Sequence, residues 1–383
     1  MFYEILIPQR TVRKAGALGE IGRLVERRGD KAFLVTSSFL VDYAKTAAAS
    51  LKEAGFDTKI GDFVDAEPDI AVVDKLTEDA KEYGADMVVS IGGGSVLDTG
   101  KAVALMINNP GSVREYLHGV PFGMFENRGV YSACVATTAG TGSEASPCSV
   151  VIDHEKQVKP NMLHQFLIPD LAVLDPELLL SLPKPIVAAT GFDALTHAIE
   201  AYVSLWSNAA TKMYSLEAIR CVAANLEKFV NSDDLEAAAE LLRGSNLAGT
   251  AMNAATGIAH GIGQPIGAVY GISHGDAMSI LLPISMEANL DWAVDAYGQV
   301  AVALGVDPLG KSPRETALAG TAKVREIAAA IGVKTKISEC GDFSKDKFAE
   351  IVQSVNDTID ADNYCNPRPL TDELVLEILE KAF

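Results

Sequence analysis

Residues 87–101 read Met87-Val88-Val89-Ser90-Ile91-Gly92-Gly93-Gly94-Ser95-Val96-Leu97-Asp98-Thr99-Gly100-Lys101. The first five form a β-rich run that stops at Gly92, and a helix is expected to start near Val96. Glycines at a strand-to-helix turn let the backbone approach a pyrophosphate closely. The free N–H groups at a helix start attract its charge. The turn matches neither GxGxxG nor GxxxxGK[ST]. Taken alone it reads equally well as a plain tight turn.

A second turn strengthens the first. Val130 to Val135 looks like another buried strand, and Ala136-Thr137-Thr138-Ala139-Gly140-Thr141-Gly142-Ser143-Glu144 follows it. Thr and Ser hydroxyls with glycine amides can hold ribose and phosphate oxygens; the alternative is a polar loop. Two such turns after two parallel strands lie at the carboxyl edge of one sheet, where ligands bind in open α/β folds.

The rest of the first half alternates in the same way. Lys31 to Thr36 is a short apolar run, after which Ser37 and Ser38 are placed to cap a helix reaching about Ala54. Thr58 to Phe63 reads as a strand and Asp69 to Tyr83 as a helix, with Ile70, Val73, Leu76 and Ala80 on one face. Val150 to Asp153 and Leu171 to Leu174 read as later strands. This alternation predicts a parallel sheet covered by helices. After Pro183 and Pro185 the pattern changes to long, Ala-rich helices at about 186–204, 208–230, 234–253, 276–304, 313–331 and 346–357. The expected fold is an α/β N-terminal domain with a dinucleotide site (residues 1–182), then an all-α domain (residues 183–383).

The helical half carries a second kind of chemistry. In Gly191-Phe192-Asp193-Ala194-Leu195-Thr196-His197-Ala198-Ile199-Glu200-Ala201, Asp193 and His197 are four residues apart and share one helical face. The stretch 257–275 reads GIAHGIGQPIGAVYGISHG, placing His260 and His274 among Gly, Ala, Ile and Val. One Asp and three His make a mixed oxygen and nitrogen set with room for a substrate oxygen, suited to Fe(II) or Zn(II). The alternatives are a surface Asp–His pair and two separate, satisfied core histidines. His118, His154 and His164 are expected in loops or at the surface.

Composition narrows the function. A chain of 383 residues, 48% hydrophobic and 22% charged, fits a soluble globular protein of two domains. Its net charge of −19 opposes binding to nucleic acid or an anionic membrane. No apolar run is long enough to span a bilayer, and Met1 to Arg13 is too polar for a signal peptide. Five scattered cysteines without CxxC spacing point to free thiols in a reducing cytoplasm.

Together, residues 92–102, 137–144, 189–202, 257–275 and Asn366-Pro367-Arg368 resemble the iron-containing (group III) alcohol dehydrogenases, whose members include lactaldehyde reductase and 1,3-propanediol dehydrogenase. The likeness covers nearly the whole chain. It implies that Asp193, His197, His260 and His274 ligate Fe(II), or Zn(II) in some members. It implies that Gly93, Gly94, Ser95 and Asp98 hold the dinucleotide phosphates and nearby atoms. Thr137, Thr138 and Thr141 would line the cofactor, Lys159 would reach it, and Leu182 would pack near the nicotinamide end. The implied activity is reversible hydride transfer between a small primary alcohol and its aldehyde with NAD or NADP, in a cytoplasmic homo-oligomer, a dimer or higher.

This sequence departs from the family at three points. Gln264 stands where members often carry a second histidine, so it would contact substrate without relaying a proton. Ser37 replaces the Asp that strict NAD users tend to have, so NADP is an expected alternative to NAD, although no Arg clamp stands beside it. A familiar PNP turn becomes Glu67-Pro68-Asp69. Asn161, Met162, Phe166, Gln264 and Tyr270 are candidate wall residues, and Asp362, Tyr364 and Arg368 either close the site or only pack. A dehydroquinate-synthase-like lyase and a non-catalytic metal-bound structural protein are the competing readings.

Overall fold

The computed structural model describes residues 4–117, 125–155, 160–357 and 361–383. They fall into two compact units, one spanning Leu6–Ser181 and the other built on Leu182–Phe383.

The first unit runs β1 (Arg10–Arg13), α1 (Ile21–Leu24), β2 (Lys31–Thr36), α2 (Val41–Glu53), β3 (Asp57–Ile60), α3 (Ile70–Tyr83), β4 (Met87–Gly92), α4 (Gly94–Met106), β5 (Tyr131–Ala136), β6 (Cys148–Val150), β7 (Asn161–Leu163) and β8 (Leu171–Leu174). Six strands form one sheet in the order β1-β8-β5-β4-β2-β3, every neighbouring pair parallel. The strands are continuous apolar runs because both faces are covered. Alternate side chains serve opposite cores: Phe33, Val35 and Val88 on one face, Leu34, Met87, Val89 and Ile91 on the other. The chain turns outward from β2 to β3, then returns to lay β4 on the other side of β2. The strand order therefore reverses between β2 and β4, and the crevice beyond their carboxyl ends is where such sheets take ligands.

Several sequence expectations need correction here. Ser37 and Ser38 do not cap a long helix. A short 3₁₀ turn, Ser38–Leu40, precedes α2, and the Ser37 side chain makes no capping bond. The strand expected over Val150–Asp153 is instead β6, ending at Val150 and pairing antiparallel with β7 in a separate ribbon. Strand β1, at the sheet edge, was not foreseen: four residues rich in Arg carry no apolar signal, and pairing with β8 alone makes them a strand.

The second unit contains α5 (Lys184–Val203), α6 (Ala209–Val230), α7 (Leu235–Ala251), α8 (Ile258–Tyr270), α9 (His274–Asn289), α10 (Val294–Ala303), α11 (Pro313–Ile331), α12 (Phe348–Asp357), α13 (Ala361–Cys365) and α14 (Asp372–Ala382). Among the described residues it holds no strand. The single helix expected over 276–304 is two, α9 and α10, separated by a 3₁₀ turn at Leu290–Trp292. From Gly191 to Val203 every residue of α5 is buried. A helix buried all round belongs at the centre of its unit, and α5 carries Asp193 and His197 into that position.

Candidate metal centre and nucleotide turns

Three helices bring the metal candidates together, and small residues let them approach. A Cβ added to Gly275, next to His274 at the start of α9, would stand 2.8 Å from Ala189 Cβ on α5. One added to Gly263 on α8 would stand 2.2 Å from Met278 Cε on α9. A side chain at Gly275 would also meet the Ala189 backbone and hold α9 off α5, whereas one at Gly263 would displace the flexible end of Met278.

The outcome is convergence on one oxygen. Asp193 Oδ1 lies 3.3 Å from His274 Nε2, 3.6 Å from His260 Nε2 and 3.8 Å from His197 Nε2. One potential ligand atom from each of the four residues lies within 4.8 Å of the others. Four ligands at about 2.1 Å from a tetrahedral cation stand roughly 3.4 Å apart, so these spacings suit one metal ion. The His197 and His260 rings stack with centroids 4.5 Å apart. The Asp193, His197 and His260 side chains are buried, whereas that of His274 is 38% exposed and forms the open side.

A fifth side chain, not foreseen from the sequence, completes the arrangement. Glu200 on α5 is buried, with Oε2 2.6 Å from His260 Nδ1. Its Oε1 accepts from the Ala259 N–H at 2.7 Å. A carboxylate on Nδ1 makes that nitrogen the donor and leaves Nε2 with a lone pair for a metal. The signal was present: Asp193, His197 and Glu200 fall at i, i+4 and i+7 along one face of α5. A Cβ on Gly257 would come 2.9 Å from Glu200 Oε1, so the glycine before α8 makes room for this contact.

The electrostatics fit a dication. Burial opposes charge on Asp193, but the facing His197, His274 and His260 imidazoles hold its carboxyl well below the usual range. Burial also opposes charge on His260, yet Asp193 and Glu200 on its two sides push it up to about 10. Asp193 Oδ1 and His260 Nε2 are buried and make no hydrogen bond of good geometry. A divalent cation binding here displaces the proton from His260 and takes over the balancing of the buried Asp193 and Glu200 carboxylates.

In the α/β unit the two predicted turns meet. Thr137 N donates to Gly92 O at 3.0 Å. A Cβ on Gly94 would stand 2.7 Å from Thr141 Cγ2, and one on Gly93 3.2 Å from Thr138 Cγ2. Gly93 is the N-cap of α4, and no side chain caps that helix. Its first amides are therefore available to an anion at the carboxyl edge of the sheet, which fits a dinucleotide pyrophosphate.

Asp98 and Lys101 face inward. Asp98 Oδ1 accepts from Ser143 Oγ at 2.5 Å, and Oδ2 from Val150 N at 3.0 Å. Lys101 is fully buried, 3.1 Å from Asp98, and donates to the Ser143 carbonyl at 2.9 Å and to the Cys148 carbonyl. This pair ties the segment after β5 to α4.

The other singled-out residues scatter. Leu182 is half-buried at the start of the second unit, and Gln264 is half-buried one turn beyond His260. Met162 is in the core of the α/β unit and Phe166 packs against it, so Met162 is no wall residue. Asn161 lies on β7, and Tyr270 donates to the Ser344 carbonyl at 2.8 Å. His164 lies in a loop, as expected, but is buried there: its Nδ1 accepts from Phe166 N at 3.1 Å, and its ring contacts those of Phe125 and Phe166. His154 is exposed, as expected, 3.3 Å from Asp69. Asn366 exchanges two 2.8 Å bonds with Asn289, and Arg368 donates to the Ala288 carbonyl, so this turn packs the C-terminal segment. Tyr364 is exposed. His118, Lys159 and the Asp362 side chain lie outside the described residues.

Comparison with known proteins agrees with this geometry. Residues 8–176 match the profile described as "Iron-containing alcohol dehydrogenase", and residues 187–383 match "Fe-containing alcohol dehydrogenase family, C-terminal". The chain is 32% identical over 383 residues to the NAD-dependent methanol dehydrogenase of Bacillus methanolicus, covering 98% of each. It is 33% identical over 374 residues to lactaldehyde reductase of Escherichia coli K12, covering 96% of each. A crystal structure of 1,3-propanediol oxidoreductase superposes with a TM-score of 0.95 at 28% identity over the whole of both chains. With both halves matched and the four candidate ligands gathered in one place, the chain belongs to the iron-containing alcohol dehydrogenase family.

Proposed function

We propose that this protein interconverts small primary alcohols and their aldehydes by hydride transfer with NAD or NADP, and that Asp193, His197, His260 and His274 hold its Fe(II), with Zn(II) as the alternative occupant. The observation that carries the reading is the convergence of three Nε2 atoms on one buried carboxylate oxygen. Bound at these sites, the metal supplies Lewis acidity toward a substrate oxygen and the nicotinamide supplies the hydride acceptor or donor.

The chain's own residues do the rest. On this reading residues 1–182 carry the dinucleotide and residues 183–383 the metal and substrate. The amides of Gly93, Gly94 and Ser95 bind the pyrophosphate, and Thr137, Thr138 and Thr141 line the cofactor. Asp98 and Lys101 keep the second turn against the first. Ser37, Leu182 and Lys159 complete the cofactor set. Glu200 orients His260. His274, on the open side, borders the approach of the substrate oxygen, and Gln264 offers that substrate a hydrogen bond. Because Gln264 does not titrate, the hydroxyl proton released in alcohol oxidation leaves through water or the ribose hydroxyls.

No observation favours the lyase. Among residues 240–280 the only Arg or Lys is Arg243, and it is committed to Glu217 at 2.8 Å and Glu240 at 2.6 Å. The family likeness also supports a homo-oligomer, to be checked by light scattering, and the free cysteines fit a reducing cytoplasm; no described helix is long and apolar enough to cross a membrane. The test of function is Fe(II)-dependent NADH and NADPH oxidation over a panel of small aldehydes. Wild type should turn over and His260→Ala should not; equal rates would reject the reading.

A further inference from the structure

The sequence offers Ser37 where an acidic side chain would be expected to meet the adenosine ribose, and so leaves NADP open. The fold supplies a carboxylate from elsewhere. Beyond β3 the chain stays alongside β2: Gly61 N donates to Leu34 O at 3.0 Å, and Val64 N to Thr36 O at 2.9 Å. This path carries Asp65 to the carboxyl end of β2, where its Oδ1 accepts from Ser38 N at 2.7 Å. Its Oδ2 makes no hydrogen bond among the described residues. Ser37 is buried and its side chain caps nothing. The carboxyl end of β2 borders the point where the strand order reverses, the same crevice that the Gly93 turn enters.

We propose that Asp65, rather than the residue at position 37, reads the ribose hydroxyls of the bound dinucleotide and makes the α/β unit select NAD over NADP. This rests on the dehydrogenase reading above. An exposed carboxylate accepts hydrogen bonds from a ribose diol and repels a 2′-phosphate. The lysines of the flanking segments are engaged elsewhere: Lys45 is paired with Asp42 at 2.9 Å, Lys75 with Asp62, and Lys59 on β3 donates to the Asp79 carbonyl at 3.5 Å.

The structural alternative is that Asp65 only caps the turn at Ser38. Asp65→Asn separates the two, because an amide oxygen still accepts from Ser38 N while the charge is gone. The experiment is a fluorescence titration of NADH and of NADPH against the metal-loaded protein, wild type and Asp65→Asn. Wild type should bind NADH at least about tenfold more tightly than NADPH. Asp65→Asn should shrink that ratio several-fold, mainly by tightening NADPH. Equal wild-type affinities, or a ratio unchanged in Asp65→Asn, overturn the proposal while leaving the dehydrogenase reading intact. Failure of wild type to bind either nucleotide overturns both.

Discussion

Glu200 sets which nitrogen of His260 faces the candidate metal. With Nδ1 tied to Glu200 at 2.6 Å, Nε2 is the free donor and the ring cannot swing away. Outer carboxylates of this kind are worth about 10–100-fold in metal affinity. Glu200→Ala should therefore lose divalent metal to a competing chelator at 10–100-fold lower chelator strength, with NADH affinity unchanged; undiminished retention would make Glu200 a packing residue. His164 makes a different residue-scale prediction. Burial pushes its pKa below the ordinary histidine value. The unfolded chain then takes up a proton that the folded chain refuses as pH falls through about 6.5, so stability drops on the acid side. His164→Asn keeps an acceptor for Phe166 N and removes the titration. Its unfolding midpoint should fall less steeply than that of wild type between neutral pH and the lowered folded-state pKa.

At the scale of elements, the metal centre depends on how closely α9 and α8 approach α5. Gly275→Ala sets a methyl 2.8 Å from Ala189 Cβ and 2.9 Å from its carbonyl oxygen. Overpacking of this kind costs about 1–3 kcal/mol, and here it moves His274. Gly275→Ala should lower both the denaturation midpoint and metal content, whereas a loss of stability with full metal content would place the strain elsewhere. The entry to α8 is strained as well. Ala255 adopts φ 58 and ψ −179, a conformation that only glycine takes readily, at a cost of about 1–3 kcal/mol to other residues. Ala255→Gly should raise stability by about 1 kcal/mol in urea unfolding, after the extra chain entropy of glycine is counted. Neither feature is legible beforehand, since a glycine in sequence does not say which helix it faces and an alanine gives no sign of a left-handed φ.

At the scale of the whole molecule, the four candidate ligands and the two glycine-rich turns lie in separate compact units, and on the proposed reading each ligand should protect its own. Hydrogen exchange should slow in α5, α8 and the start of α9 on metal loading. It should slow around residues 92–99 and 137–143 on nucleotide addition. Identical protection maps for the two ligands would rule out this division. The net charge of −19 does not conflict with an anionic cofactor, because the turn amides act locally and are uncapped.

Much of this was determined by sequence alone: the alternation of strands and helices, the two turns after β4 and β5, the change to helices near Pro183, and the residue types of the ligand set. Those signals are local, arising from periodicity and from chemistry within a turn or two. Four other features came only from the path of the chain. They are the reversal of strand order between β2 and β4, the contact of Ser38 with Asp65, the pairing of His260 with Glu200 and the burial of His164. Ser38 and Asp65 stand 27 residues apart, and Glu200 and His260 stand 60 apart. Hydrogen-bond partners and burial at such separations depend on which surfaces pack together, and no propensity of the intervening residues encodes that.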